Sequence, residues 1–497
     1  MNILMIYPEC PDTFWSFKHA LKFISKRAGS PPVGLLTVAA MLPKEWGKRL
    51  VDLNVTTLGP KDLAWADYAF VSAMSIQRES ARRVIDQCHA AGVKVVAGGP
   101  LFTIYAQDHE EKTFEDVEHL VLNEAELTLQ PFLDDLARGE AKHIYTSKEL
   151  PDLSLTPTPL WELADLRRYG WMSIQYSRGC PFNCDFCNVT SLFGHKPRVK
   201  STAQIIAELD GIYAQGWRGS IFFVDDNFIG NKALLKKELL PALIAWQKNH
   251  PGMPFNTEVS LNLADDEELT QMMVEAGFSV VFIGLETPDE ASLAECNKTQ
   301  NSGRDLVADI KRLQRAGLQV QGGFIVGFDS DLPTIFQRQI DFIQKSGIVT
   351  AMVGLLQAIP GTKLHERLKA EGRLVGNSTG DNVDGTTNIV SRMNAEQLRL
   401  GYRRILESIY APRPYYQRVR TFLREYQAPK IKAQIQWQDI KALVRSAVHL
   451  GVLGRSRFQY WKLIIWTQLF RPQHLGLAIT LAIYGHHFDV VSRRRVR

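Results

Sequence analysis

Within the stretch Arg178-Gly179-Cys180-Pro181-Phe182-Asn183-Cys184-Asp185-Phe186-Cys187, three cysteines stand at C-x3-C-x2-C spacing. Thiolates this dense in a reducing cell call for a soft cation to hold them. The spacing does not match zinc ribbons, which bring two C-x2-C pairs or one pair with histidines. The other cysteines, Cys10, Cys88 and Cys296, are isolated, so no fourth thiol stands nearby. Three thiolates on a four-iron cluster leave one iron open to an outside ligand, which suits a reaction centre more than an electron wire. The alternatives are three buried thiols or an incomplete zinc site. Residues 171–177 read as the strand that feeds this loop, and the carboxyl end of a strand is where parallel barrels place their chemistry.

The Arg-Gly before the first cysteine and the aromatic before the last resemble the signature of the radical S-adenosylmethionine (SAM) enzymes. The resemblance implies that Cys180, Cys184 and Cys187 hold a [4Fe-4S] cluster. It also implies that the amino and carboxylate groups of SAM chelate the fourth iron.

After the cysteine loop, strand patterns at 220–225, 255–260, 279–286, 318–326 and 349–356 alternate with helical patterns at 232–248, 265–276, 302–316 and 333–346. Such alternation predicts an α/β fold with a parallel sheet. With the cysteine-bearing unit the count is six, which resembles the partial (β/α)6 TIM-type barrel of the superfamily, here over residues 171–385. On that resemblance the polar strand ends bind SAM. Asp225 or Asp226 replaces the common Gly-Gly-Glu that meets the methionine amino group. Glu258 or Glu286 holds ribose hydroxyls. Gly327 lies in a stretch similar to G-x-I-x-G near adenine. For each carboxylate the alternative is a rim salt bridge or a helix cap.

Residues 1–140 read as strands at 3–7, 49–54, 68–74, 94–97 and 120–122, with helical stretches at 34–42 and 78–91. This predicts an open, Rossmann-like (flavodoxin-like) parallel sheet whose ligand lies beyond the strands' carboxyl ends. The residues there are Asp52, Asn54, Ser72, Gly98, Gly99 and Glu124. The pattern resembles the cobalamin-binding domain that precedes many radical SAM barrels. That family's D-x-H-x-x-G is here Asp52-Leu53-Asn54, so imidazole ligation of cobalt from this position is ruled out. Ser72-Ala73-Met74 and Ala97-Gly98-Gly99-Pro100 match the family's loops toward the corrin and the nucleotide tail, where close backbone approach favours glycine. Asn123-Glu124-Ala125-Glu126 resembles its G-E-x-E. The alternative is a flavodoxin-like domain with another ligand or none. An aromatic insertion at 9–33, with Phe14, Trp15 and Phe17, reads as a lid over cofactor or substrate, or as a loop filling its own small core. Residues 141–170 read as a linker, and their proline-punctuated part, 150–159, as an extended connector.

Residues 386–497 read as a helical region, with stretches at 393–410, 415–426, 460–470 and 475–484. The last two are apolar, each too short to span a bilayer. After Tyr410 the chain holds 16 Lys and Arg against 3 Asp and Glu, while the rest is mildly acidic. Such a region can cap the barrel, the preferred reading, or lie peripherally on the inner face of a membrane. His486 and His487 read as a helix cap or a surface pair. The tail carries no known nucleic-acid module, so nucleic acid is not expected as a partner. Six cysteines in 497 residues make no disulfide framework, and the first residues lack signal-peptide character; both lead to the expectation of a cytoplasmic protein.

Over its whole length the chain resembles the cobalamin-binding radical SAM proteins of the group that includes the bacterial hopanoid methylase. Phe14-Trp15-Ser16-Phe17, Val224-Asp225-Asp226-Asn227-Phe228 and the helical tail carry that likeness. It implies a methyltransferase acting on an unactivated carbon of a small, apolar or lipid-like substrate. A cluster reduced by a ferredoxin or flavodoxin cleaves SAM to a 5′-deoxyadenosyl radical, which abstracts hydrogen, and cobalamin supplies the methyl group. The alternatives are a radical SAM enzyme that forms or rearranges rings without methyl transfer, and a non-catalytic iron–sulfur or nucleic-acid-binding protein.

Overall fold

The computed structural model describes residues 1–106, 113–381, 383–428 and 437–496. The first sheet is built from β1 (Asn2–Tyr7), β2 (Gly47–Asp52), β3 (Tyr68–Ser72), β4 (Lys94–Gly98), β5 (His119–Val121) and β6 (Ile144–Tyr145). Its order is β2-β1-β3-β4-β5-β6, all parallel. β1 reads as a continuous apolar run because both of its faces are covered. Leu4 and Ile6 pack into one core and Ile3 and Met5 into the other. Strand order reverses between β1 and β3, which opens a crevice at the carboxyl ends.

Two features of the stretch before the barrel depart from the sequence reading. β6 lies inside the segment taken as a linker; two residues are too few to show a period. The extension expected of 150–159 is interrupted too: residues 150–170 fold through short turns at Leu153–Leu155, Trp161–Leu163 and Leu166–Arg168. They bury Trp161 and Tyr169 in the same core as the barrel strands, and Tyr169 Oη donates to Asp52 at 2.9 Å.

The second sheet is the expected partial barrel. β7 (Met172–Ile174), β10 (Ile221–Phe223), β11 (Phe255–Glu258), β12 (Phe278–Glu286), β13 (Gln319–Val326) and β14 (Ala351–Leu355) follow one another in chain order, all parallel. Residues 171–177 do not form one strand. The chain leaves β7, then pairs β8 (Ser177–Arg178) antiparallel with β9 (Arg198–Val199), closing a ribbon at the base of the cysteine loop. The break falls where the Tyr176 and Ser177 amides turn to donate to Asp225.

The carboxyl-terminal region is helical: Ala395–Tyr410, Pro412–Glu425, Trp437–His449, Arg457–Phe470 and Leu475–Val496. The last helix does not stop at Tyr484, because nothing in Gly485-His486-His487 breaks a helix. Residues 472–494 are therefore long and apolar enough to cross a membrane by length and composition, and half of their most apolar window is buried in the protein. His487 is fully buried, neither cap nor surface. Its ring nitrogen lies 3.0 Å from the Phe14 carbonyl, and burial pushes its pKa down to about 4, so the ring is neutral. Tyr415 Oη donates to the Leu481 carbonyl at 2.6 Å. A Cβ at Gly485 would lie 2.3 Å from the Tyr415 ring. Gly485→Val should cost roughly 1–3 kcal/mol by overpacking, read as a lower urea midpoint by circular dichroism. A helix detached from the barrel cap would tolerate the change.

Candidate functional site

The cysteine loop is held from several sides. Gly179 has φ 96°, and a Cβ there would lie within 3.1 Å of the Phe193, Lys196 and Gly194 carbonyls, so only glycine fits. The Asp185 amide donates to the Cys296 carbonyl at 3.0 Å and the Leu364 amide to the Asp185 carbonyl at 2.9 Å. Asn297 Nδ2 donates to the Asn183 carbonyl at 2.8 Å. Held this way, Cys180, Cys184 and Cys187 all line one chamber of about 420 Å³. Gln300 Nε2 lies 3.6 Å from Cys184 Sγ, and Gln300 Oε1 is buried without a hydrogen-bond partner.

Burial pushes the Cys187 thiol up to about 12 and raises Cys180 as well, so these thiols ionise only with a bound cation. Among the described residues, no three His, Cys, Asp or Glu side chains group closely enough to hold a lone metal ion. Three thiols spread around one chamber fit a multi-iron cluster with an open corner. They do not fit a closed tetrahedral zinc site.

The two adjacent aspartates separate in role. Asp225 is completely buried. It accepts from the Tyr176 amide at 3.1 Å, from the Ser177 amide, and from Ser177 Oγ at 2.5 Å. Its carboxylate is thus engaged by the backbone that launches the cysteine loop. Asp226 lines the chamber, as do Glu258 and Glu286. Burial pushes Asp226 up to about 6. Burial first, then the charges of Asp226 and Asp225, push Glu258 up to about 8. A chamber in which burial and neighbouring acids raise carboxyl pKa values favours a cationic guest. Glu286 is already paired, with Lys298 Nζ at 2.7 Å. Gly327 does not line the chamber. It has φ 107°, and its amide donates to Asp331 at 2.8 Å. Gly284 and Gly323 form the glycine wall instead.

A second cavity, of about 230 Å³, lies over the ends of β3, β4 and β5 and is lined by Ser72, Gly98, Gly99 and Glu124, with Arg178 across it. Close neighbours, backbone at Gly98 and a side chain at Gly99, are one reason for both glycines. A Cβ would meet the Val121 carbonyl at 2.7 Å from Gly98 and Ser72 Oγ at 2.7 Å from Gly99. Asp52 and Asn54 line neither cavity. Asp52 accepts from Asn54 and Tyr169, and Asn54 also bonds Pro8 and Cys10. Between the two lies a third cavity of about 270 Å³. It shares Pro100 and Phe193 with the sheet cavity. It shares Val189, Asp226, Ile359, Ser378 and Gly380 with the cysteine chamber.

The first sheet is joined to the cysteine loop by buried ion pairs in the wall of the sheet-end cavity. Arg178 meets Glu124 at 2.5 Å and Glu126 at 2.9 Å, and Arg198 meets Glu124 at 2.6 Å. Burial would raise the Glu126 pKa, but hydrogen bonding and charge from Arg178 outweigh it and hold the group below the usual range. Arg178→Met strands the buried Glu126 carboxylate and leaves Glu124 to Arg198 alone, and should cost about 3–5 kcal/mol, measured by urea unfolding.

Sequence reading missed Lys298 and Gln300, which sit in an irregular turn with no period to mark them. It also left open what residues 9–33 cover. Trp15 lines the cysteine chamber and meets Phe282 edge-on at 5.1 Å. Phe14 and Phe17 turn the other way, onto Phe488.

Residues 174–342 match the radical SAM superfamily, and residues 362–497 match a domain of unknown function, DUF4070. The chain is 40% identical to an uncharacterized methyltransferase of Synechocystis over 98% of this chain and 91% of that one. It is 32% identical to the hopanoid C-2 methylase of Rhodopseudomonas palustris over 100% of this chain and 94% of that one. In fold it is similar to the cobalamin-dependent SAM radical enzyme OxsB, with a TM-score of 0.64 at 14% identity, covering 100% of this chain and 80% of that one. It is also similar to the radical SAM methyltransferase TsrM of Kitasatospora setae, with a TM-score of 0.60 at 16% identity, covering 80% and 84%.

Proposed function

The chain belongs to the cobalamin-binding radical SAM methyltransferase family, and from that premise we propose that it methylates an unactivated carbon of an apolar, lipid-like substrate. One observation carries the reading. The cysteine chamber, the inter-sheet cavity and the sheet-end cavity run in series with shared walls, and Asp226 stands at the junction of the first two. A chain that must bring two cofactors to one carbon needs such continuity.

Cys180, Cys184 and Cys187 would hold the [4Fe-4S] cluster, and cobalamin would occupy the inter-sheet and sheet-end cavities. When bound, these groups supply the electron that cleaves SAM and the methyl group that is transferred. The protein's share is positional. Asp226 would receive the SAM ammonium and Glu258 its ribose hydroxyls, while Asp225 keeps the strand end in register. Glu286 would act through its pair with Lys298, fixing the wall on which the nucleoside lies. Ser72, Gly98, Gly99 and Glu124 would border cobalamin, and Asn54, outside the cavities, would offer it no imidazole. The apolar wall of Trp15, Phe282, Phe324, Ile325, Met352 and Val383 suits a hydrocarbon and excludes water from a reactive radical. A one-electron donor of the ferredoxin or flavodoxin class and contact with the inner face of a membrane complete the reading. The hopanoid C-2 methylase relative supports the lipid-like substrate.

Anaerobic protein supplied with SAM, cobalamin, a reductant and a hopanoid-type lipid should yield 5′-deoxyadenosine, S-adenosylhomocysteine and the methylated lipid together. 5′-Deoxyadenosine without S-adenosylhomocysteine, with cobalamin bound, would replace methyl transfer by ring formation or rearrangement. Alanine at all three cysteines should abolish iron loading and both nucleoside products. Asp226→Asn should raise the KM for SAM about 10–100-fold, the value of one charge-assisted hydrogen bond, with iron content unchanged by elemental analysis.

A further inference from the structure

Two helices of the carboxyl-terminal region are apolar on the side turned away from the protein. In Trp437–His449 the buried positions are Ala442 and Ser446, while Trp437, Ile440, Val444 and Val448 face out. In Arg457–Phe470 the buried positions are Tyr460, Leu463 and Thr467. There Phe458, Trp461, Ile465 and Leu469 face out at the same i, i+3, i+7, i+11 spacing. This spacing makes one continuous stripe on a helix. The connector between them exposes Val452 and Leu453. Exposure is extensive: 78% for Trp437, 76% for Phe458 and 70% for Leu469. Scattered apolar residues on a surface need no explanation, but a patch of this length marks an interaction site. The pair is one unit, since Ser446 Oγ and Tyr460 Oη lie 3.0 Å apart and Trp461 Nε1 donates to the Gly451 carbonyl at 2.9 Å.

We propose that these two helices dock the protein on an anionic bilayer, seating their outward stripes among the headgroups and upper acyl chains without spanning. Charge selects this occupant over a second copy of the chain. Residues 437–471 carry six basic residues, Lys441, Arg445, Arg455, Arg457, Lys462 and Arg471, against one acid, Asp439. Face-to-face pairing of two copies sets like charge against like, whereas an anionic leaflet meets opposite charge. Lys441, Arg455 and Lys462 are exposed beside the apolar stripes, where their stems can lie along lipid and their charges reach phosphate. Tryptophan and phenylalanine on such a face are the residues that sit at headgroup level. The long Leu475–Val496 helix is not the anchor, because Tyr415 and Phe14 hold its Leu481, His487 and Phe488 inside the cap.

The docking face is also tied to the aromatic insertion that reaches the chamber through Trp15. Arg445 donates to the Lys22 carbonyl at 2.7 Å, the Phe23 carbonyl at 3.2 Å and Ser25 Oγ at 2.8 Å. That segment follows directly from Trp15, which lines the cysteine chamber. A lipid leaving the leaflet under these helices meets the segment that walls the chamber. Only this last step rests on the proposed lipid-like substrate; the docking itself does not.

The binding test uses full-length protein and extruded vesicles without SAM, and the activity controls add SAM, cobalamin and a reductant. Vesicles of phosphatidylcholine with phosphatidylglycerol should sediment the protein at least tenfold more strongly than phosphatidylcholine alone, and salt should weaken the binding. The combined substitution Val444→Ser, Phe458→Ser, Ile465→Ser and Leu469→Ser should lower that binding at least tenfold, with the same melting temperature and the same 5′-deoxyadenosine formation in detergent. Lys441→Gln with Arg455→Gln and Lys462→Gln should remove the preference for anionic vesicles. Wild-type protein that ignores anionic vesicles overturns the proposal. So does a dimer in analytical ultracentrifugation that the serine variant abolishes, since the face then belongs to a second copy. Binding that survives while no lipid is methylated leaves docking intact and counts against the substrate reading instead.

Discussion

Two arginines and two glutamates hold this protein's chemistry in one place. Arg178 precedes the cysteine loop, and Glu124 and Glu126 lie where the last long crossover of the first sheet begins its helix. Arg198, from the other strand of the β8–β9 ribbon, closes on Glu124 as well. Each carboxylate is almost fully out of water, so the pairing compensates a large desolvation and tolerates little displacement. Thr156 adds a hydroxyl to Glu126 at 2.7 Å and ties in the connector. The start of the helix after β5 is thereby tied to the ribbon that carries the cysteine loop, and the cavities at the two sheets' carboxyl ends form one space with shared walls.

Inside that space the balance of charge is uneven. Asp225, Asp226 and Glu258 gather at the ends of β10 and β11, and all three are raised by burial. Lys298 is the counterweight, but Glu286 holds it. Asp226 and Glu258 line the chamber together with the three thiols and a set of apolar side chains. A cationic guest, thiolate-bound iron and a hydrocarbon substrate, as proposed, would each find suitable side chains in that one chamber.

How much of this was legible in the residues depends on the range of the signal. The cysteine spacing and the alternation of apolar strands with amphipathic helices are local, so the loop, both parallel sheets and most strand positions could be read directly. β6 was too short to carry a period. The 150–159 connector was read as extended because proline suggests extension, whereas a short turn at Leu153–Leu155 interrupts it and buries Leu153. The last helix was cut short at His486-His487, because two polar residues resemble an end when the Phe14 carbonyl that receives one of them is not known. Aspartates 225 and 226 were indistinguishable in sequence; backbone direction at the strand end turns the first toward the Tyr176 and Ser177 amides and the second toward the chamber.

The chain by itself determined which chemistry is available: three thiols with one coordination site to spare, a row of acids at strand ends, and a basic, apolar tail. These follow from residue type and near-neighbour spacing, which no later folding step can alter. Tertiary structure alone decided which acid is structural, that Trp15, Lys298 and Gln300 join the cysteines, and that Asp52 and Asn54 stay out of the cavities. Those outcomes rest on contacts between residues tens to hundreds of positions apart. Such contacts are set by how the two sheets pack, and local spacing carries no trace of them.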